Sequence, residues 1–387
     1  MPWKETSPVK QRKEFVEACA AEGANMSELC RRFGVSRKTG YKWLHRYLGH
    51  SELEDRSRRP KVSPKAVAAS IEAGIVAARK MRPTWGPRKL RASLMRSNPD
   101  VELPSVTTFA LIFKRNGLIV PRRRKRRVTP STQPLSHATS PNSLWCIDFK
   151  GDVLNGKTRC YPLTITDAFS RYLIACIALP NTRFSGVFRA MVEAFDAFGL
   201  PDAIRSDNGA PFSSRAPCGL SELSVWWWRL GIRHERIAPG KPQENGRHER
   251  MHRTLKAETV SPPEKTRRRQ QRRFDLFRAD YNERRPHEAL DNAVPADFYE
   301  RSAKRLPEPV CGPSFVYPEE FEVVELRDEG WFYWSDQRVM VSAALGREKL
   351  GLSWCGGEWQ MFFGPLRIGS LTKDRKGRSK FTRIEDV

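Results

Sequence analysis

Residues 121–140 read PRRRKRRVTPSTQPLSHATS: six consecutive basic side chains, Arg122, Arg123, Arg124, Lys125, Arg126 and Arg127, followed by a run rich in Ser, Thr and Pro. Like charges at adjacent positions repel and keep their hydration, and proline cannot donate to a backbone ladder. No packed element forms across such a stretch, so it reads as a linker. A chain of 387 residues divided in this way is expected to fold as separate bodies, and the two sides of the divide carry different periodicities.

The N-terminal side is helical. VKQRKEFVEACAAEG, NMSELCRRFGVS and RKTGYKWLHRYLG carry apolar residues at helical spacing, broken at Gly23 and Gly34. Three short helices with a Gly turn before a basic third helix are the pattern of a helix-turn-helix, assigned to residues 1–58. Ser36 is placed to cap the third helix, and Trp43, Leu44 and Tyr47 are expected to bury one face of it. That leaves Arg37, Lys38, Thr39 and Lys42 toward a DNA major groove, against the plainer reading of a solvated basic face. A second helical set, PKAVAASIEAGIVAARK, PRKLRASLMRS and SVTTFALIFKRNG, fills residues 59–120. It is read as a second helix-turn-helix rather than a spacer, with Ser105 starting its last helix and Arg88 and Lys89 at a DNA-facing helix end.

Beyond the linker, strands and helices alternate. SLWCIDF, CYPLTITDAFSRYLIACIAL and AIRSDNG read as strands, and SGVFRAMVEAFDAFG and ENGRHERMHRTLKAE as amphipathic helices, which makes residues 141–300 an α/β domain. Residues 301–387 return to short β runs (WFYWSD, QRVMVSAA, EKLGLSW, GEWQMFF, LRIGSL) separated by glycines and charges, and a small β-barrel is expected there. The triple tryptophan 226–228 reads as a partly buried helix anchor in preference to a base-stacking platform.

Charge then narrows the function. The formal net charge is +25, and most of the basic excess lies in residues 1–130, which calls for a polyanionic partner such as double-stranded DNA. No apolar run of membrane-spanning length and no signal peptide is present, so a cytoplasmic protein without a membrane partner is expected. Eight cysteines are scattered without a CxxC pair, which argues against a zinc finger or a disulfide framework.

Within this basic chain, two acids stand at strand ends: Asp148 in WCIDFKG and Asp207 in IRSDNG. Carboxylates brought together raise each other's pKa unless a cation neutralises them, and hard oxygen ligands suit Mg²⁺ or Mn²⁺. With a third acid, such a cluster holds two ions about 3.5–4 Å apart in enzymes that cut phosphodiesters. Alone, each aspartate would more simply cap a turn or pair with a basic neighbour. Two glutamates compete for the third place, Glu244 and Glu249 in APGKPQENGRHERMHRTLK.

LWCIDFKG, TITDAFSRYLIA, IRSDNGAPF, APGKPQENGRHERMHRTLK and YNERRPHEAL resemble, in order, the sequence blocks of the integrase-type transposases of bacterial insertion sequences, whose core is similar to that of retroviral integrases. The resemblance covers residues 140–300. It implies a ribonuclease-H-like fold with a catalytic Asp, Asp, Glu triad that binds two divalent ions, with Asp148 and Asp207 as the aspartates. It also implies a DNA cleavage and joining activity on the ends of a mobile element, and an oligomer, at least a dimer, to pair two ends.

Spacing from Asp207 favours Glu244, whereas the family pattern, an acid three residues after the Gly of the Asn-Gly pair, selects Glu249. Five positions on a helix separate two side chains by roughly 140°, so only one of them can face the site. Glu244 precedes the Asn-Gly break; Glu249 lies in the helix with Arg253 and Lys256 at i+4 and i+7, where a terminal phosphate backbone would run. Glu249 is therefore the expected third acid, against a plain salt bridge to Arg253. His287 matches a family block and reads as a packing or capping residue. The other readings are a transposase-derived DNA-binding regulator, which would lose a carboxylate, and a stand-alone nuclease, which would cut without joining.

Overall fold

The computed structural model describes residues 7–57, 66–119, 135–238, 246–373 and 377–384. The basic run 122–127 and Glu244 lie outside the described residues. The chain divides into two compact units, Met1–Val67 and Ala68–Val387.

In the first unit, α1 (Pro8–Ala20), α2 (Met26–Arg32) and α3 (Arg37–Leu48) enclose a small core of Phe15, Val16, Cys30 and Trp43. Each helix begins on a polar cap. Ser7 accepts from the Lys10 amide, Asn25 from those of Ser27 and Glu28, and Ser36 from the Thr39 amide at 3.2 Å. Gly34 sits at φ +66° in the turn between α2 and α3, a conformation that costs a residue with a Cβ. The burying face of α3 differs from the sequence expectation: Trp43 is buried, but Tyr47 is 37% exposed and Gly40 takes the inner place. Helix α3 crosses so close to its neighbours that only a glycine fits. A Cβ on Gly40 would lie 2.7 Å from Cys30 Sγ and 2.9 Å from Phe15 Cζ. Gly40→Ala is therefore expected to destabilise this unit by about 1–2 kcal/mol, the overpacking cost outweighing the helix propensity gained. Denaturant unfolding followed by tryptophan fluorescence checks it; an unchanged or raised midpoint for the first transition contradicts the close packing.

The second unit begins with α4 (Ala69–Met81), α5 (Pro87–Ser97) and α6 (Val106–Arg115), packed on Ile75, Trp85, Leu90, Phe109, Ile112 and Phe113. Pro87 opens α5 and the Ser105 hydroxyl caps α6 at the Thr108 amide.

The central sheet contains β1 (Trp145–Phe149), β2 (Val153–Asn155), β3 (Thr158–Asp167), β4 (Leu173–Leu179), β5 (Ala203–Ser206) and β6 (Arg233–Arg236). β3 pairs antiparallel with β1, β2 and β4, while β1, β5 and β6 run parallel. The antiparallel strands are joined by turns, whereas the parallel pairs need crossovers, supplied by α7 (Phe184–Phe198) between β4 and β5 and α8 (Glu222–Arg229) between β5 and β6. Alternation along the strands gives the sheet two apolar faces. Trp145, Ile147, Leu163 and Ile165 point to one, which α7 and α8 cover. The other is covered by α9 (Gly246–Leu255) and α10 (Arg267–Glu283) through Met251, Leu255, Phe274, Phe277 and Tyr281.

The triple tryptophan lies on α8: Trp226 and Trp227 are buried in the core, and Trp228 packs toward the C-terminal region. Val225 shares that second cluster, so α8 joins the two cores. The C-terminal region is an antiparallel sheet in the order β13 (Ser379–Arg383), β12 (Leu366–Lys373), β11 (Glu358–Phe363), β10 (Lys349–Cys355), β7 (Glu322–Glu325), beside a separate hairpin of β8 (Trp331–Trp334) and β9 (Gln337–Met340). Among the described residues β7 and β13 do not pair, so the sheet is open and the expected barrel is not seen. The hairpin lies near the β13 edge, where Gln337 accepts from the Ser379 amide at 2.6 Å.

Candidate active site

Asp148 is the fourth residue of β1, and Asp207 directly follows β5. The two strands are parallel neighbours, with Trp145 opposite Ile204 and Cys146 opposite Arg205. Carried on by two residues, that register sets Asp148 beside Asp207 at the carboxyl edge of the sheet. Since Trp145 and Ile147 point to the α7 side, alternation turns Asp148 to the α9 side. Asp207 Oδ1 accepts from the Gly209 amide at 3.1 Å; a Cβ on Gly209 would stand 3.2 Å from the other carboxylate oxygen. This bond orients the carboxylate against the turn.

Helix α9 carries Glu249, the expected third acid. Its inner face carries His248, Met251, His252 and Leu255, all buried, while Glu249, Arg253 and Lys256 are exposed. The spacing i, i+4, i+7 sets these last three in a row on one side of the helix, with Lys256 at the start of the π-helical turn Lys256–Val260. Glu249 lies in the first turn, where the helix dipole favours an anion.

Burial lifts Asp148 from the ordinary carboxylate range to about 7, with the charge of Asp207 as the next cause and that of Glu249 adding to it; the Phe149 amide and Lys150 oppose the rise. A half-buried acid raised further by two neighbouring carboxylates is a donor set of hard oxygens short of positive charge. A divalent cation supplies that charge, and these residues fit one.

The pair His248 and His252 escaped the sequence reading. Both rings are buried, and burial pushes them down to about 3 and about 2, so they are neutral. His252 Nδ1 lies 3.7 Å from Asp148 Oδ2, and Asp148, His248 and His252 each offer a ligand atom within 4.8 Å of the others. The available signal was the i, i+4 histidine spacing in RHERMH, on the buried side of the helix next to the exposed basic row.

The other expected contacts divide. Arg37, Lys38 and Lys42 are exposed on α3, Lys42 lying over the Trp43 ring, and Thr39 shares a 2.9 Å hydrogen bond with the Ser36 hydroxyl. Arg88 and Lys89, expected to face DNA, stand in the first turn of α5, with Arg88 exposed. Arg88 pairs with Glu288 at 2.8 Å, and Lys89 is pushed down to about 8 by burial and then by Arg285. Arg82 pairs with Asp280, and Arg96 with Asp297 at 2.6 Å, so this helical module is held to the core through ion pairs. The acidic partners lie some two hundred residues away in the chain, out of reach of local pattern. His287 packs edge-on against Tyr281, a structural contact. No helix among the described residues is long and apolar enough to cross a membrane, and none of the eight cysteines is joined in a disulfide.

A mixed sheet with acids at the ends of adjacent parallel strands and a third on the covering helix defines an integrase core. Residues 138–242 and 230–295 match two families described as Integrase core domain, residues 11–61 a Helix-turn-helix domain and residues 39–112 a Homeodomain-like domain. The chain is 31% identical over 219 residues to the Insertion element IS407 uncharacterized 31.7 kDa protein of Burkholderia multivorans (strain ATCC 17616 / 249), covering 56% of this chain and 76% of that protein. It is 28% identical over 268 residues to the Insertion element IS476 uncharacterized 39.2 kDa protein of Xanthomonas euvesicatoria, covering 66% of this chain and 75% of the relative. A shorter stretch, 30% of this chain, is 33% identical to the Gag-Pol polyprotein of Baboon endogenous virus (strain M7), of which it covers 6%. The chain belongs to the integrase-type DDE transposases of bacterial insertion sequences.

Proposed function

We propose that this transposase binds the ends of its own mobile element, cuts them to free a 3′ hydroxyl and joins that hydroxyl to target DNA. The supporting observation is the convergence of Asp148 and Asp207 with the helix that carries Glu249, together with the rise at Asp148 caused by burial and then by the charges of Asp207 and Glu249. In the first step a water oxygen attacks the phosphorus and the 3′ oxygen leaves as the hydroxyl. In the second, that hydroxyl attacks a phosphodiester of the target and displaces its 3′ oxygen. Asp148, Asp207 and Glu249 would hold two divalent ions, Mg²⁺ or Mn²⁺. Bound cations supply charge neutralisation for the carboxylates and for the oxygens of an in-line displacement. Arg253 and Lys256 would hold the terminal phosphates beside the acids, and Arg37, Lys38, Thr39 and Lys42 would read the element end in the major groove.

The basic run 122–127 would track the phosphate backbone, and two copies at least would pair two ends. Arg88 and Lys89 would add contacts to the DNA backbone, the Arg88 side chain staying largely exposed beside Glu288. The DNA-associated state follows from binding alone.

The test is incubation of the protein with the DNA flanking its reading frame, a plasmid target and Mg²⁺ or Mn²⁺. Joined products are expected, with end binding that weakens steeply as salt rises from low to physiological levels. Tight binding without joining under either metal points to a regulator, and cutting without joining to a nuclease; either result overturns the proposal.

A further inference from the structure

Four buried side chains form a continuous polar path under the proposed site. Thr166 Oγ1 lies 2.8 Å from His248 Nδ1, and His248 Nε2 lies 2.7 Å from Thr164 Oγ1. Thr164 Oγ1 is also 2.7 Å from His252 Nε2, and His252 Nδ1 faces Asp148 Oδ2 at 3.7 Å. All four are buried: Thr164 is 0% exposed, Thr166 7%, His248 1% and His252 5%. The antiparallel register sets Asp148 directly opposite Thr164, so the path starts on the strand beside the acid and returns to that acid by way of the helix.

The direction of the hydrogen bonds follows from counting protons. A hydroxyl has one proton and two lone pairs, and a neutral imidazole has one N–H and one acceptor nitrogen. If Thr164 gives its proton to the Asp148 carbonyl, 3.1 Å away, or to His248, then His252 must be protonated on Nε2. Its Nδ1 lone pair would then face Asp148 Oδ2 whenever that acid is ionised, as it must be to hold a cation, in a site already crowded with negative charge. Donation from Thr164 to His252 Nε2 avoids this: the His252 proton moves to Nδ1, toward Asp148, while His248 donates from Nε2 to Thr164 and accepts from Thr166 at Nδ1.

We propose that Thr166, His248, Thr164 and His252 form a one-way hydrogen-bond chain that presents the His252 Nδ1–H to Asp148, making His252 a positioning residue for that carboxylate. The 3.7 Å separation exceeds a hydrogen bond by about half an ångström, so the contact requires the carboxylate to turn toward the ring. With Oδ2 held in this way, Oδ1 is the oxygen left for a cation. A ligating carboxylate oriented by a second hydrogen-bonding group is a general feature of metal sites. The inference rests on the proposed role of Asp148, and its test is separable from that role.

Tautomers are read from two-bond ¹H–¹⁵N correlations of the histidine rings in the full-length protein, with His252→Asn used to assign the signals. The expected result is Nδ1–H for His252 and Nε2–H for His248; an Nε2–H tautomer at His252 overturns the chain whether or not the protein joins DNA. In parallel, Mn²⁺ affinity is measured by the electron paramagnetic resonance of free Mn²⁺, and joining by product yield. His252→Leu is expected to lower both by roughly 10–100-fold, and His252→Asn, which keeps a donor near the Nδ1 position, to recover most of the loss. Equal losses in the two variants would mean a purely packing role and sink the proposal. Thr164→Ser keeps the linking hydroxyl and should behave as wild type, whereas Thr164→Val should lose the Nδ1–H tautomer at His252. Loss of joining in Asp148→Asn tests the catalytic reading on its own.

Discussion

Replacement of Glu249 by Gln is expected to reduce the yield of joined DNA by about 10³-fold or more, and replacement of Glu244 by Gln to leave it near the wild-type level. Removal of one carboxylate from a cluster that neutralises divalent cations forfeits several kcal/mol in the transition state, and each 1.36 kcal/mol is tenfold in rate. Glutamine keeps the length of the side chain and a hydrogen-bonding oxygen, so end binding should persist and separate lost chemistry from lost folding. The physical basis is position on α9. Glu249 is in the first turn, beside the exposed row that continues through Arg253 and Lys256, and its charge acts on Asp148. Glu244 precedes Gly246, the first residue of α9. A dead Glu244→Gln variant with an active Glu249→Gln variant would move the third acid to the other position.

Asp148→Asn should abolish joining and at the same time stabilise the protein. Asp148 is raised from 3.8 to about 7, chiefly by burial and then by Asp207. The folded state therefore holds this proton more tightly than the unfolded chain does. Stability from this group is fully present below about pH 4, is lost as pH rises through the interval up to about 7, and stays lost above it. Asparagine carries no charge and escapes that loss. In a chelator at pH 8, the variant is expected to melt on the order of 3 °C above wild type, with the difference shrinking toward pH 5. Added Mg²⁺ should raise the melting temperature of wild type and not that of the variant, because a ligand stabilises only the state that binds it. A variant less stable than wild type at pH 8 would show that Asp148 makes favourable contacts which outweigh its repulsion.

These two expectations draw on different parts of what the chain makes legible. Helix caps and turns were readable locally: Ser36 and Ser105 cap the helices they were expected to start, because capping involves residues three positions apart. Asp148 and Asp207 were recognisable as strand-end acids because strand periodicity is also local. Contacts across the fold were not readable. Gly40 rather than Tyr47 lies inside α3, since helix approach distance depends on the neighbouring helices. The pairing of Arg88 with Glu288 and the closeness of Lys89 to Arg285 were not readable either, because their partners lie some two hundred residues away. The C-terminal β runs matched a barrel equally well until their order left β7 and β13 at opposite edges.

The amino-acid sequence by itself determined the order of modules, the basic character that demands a polyanion and the family to which the core belongs. These depend on composition, local periodicity and motif order. Only the tertiary structure decided that His248 and His252 meet Thr164 and Thr166 beneath Asp148, because the bonded residues are 82 to 88 positions apart in the chain and only the packing of helix on sheet brings them within hydrogen-bond distance.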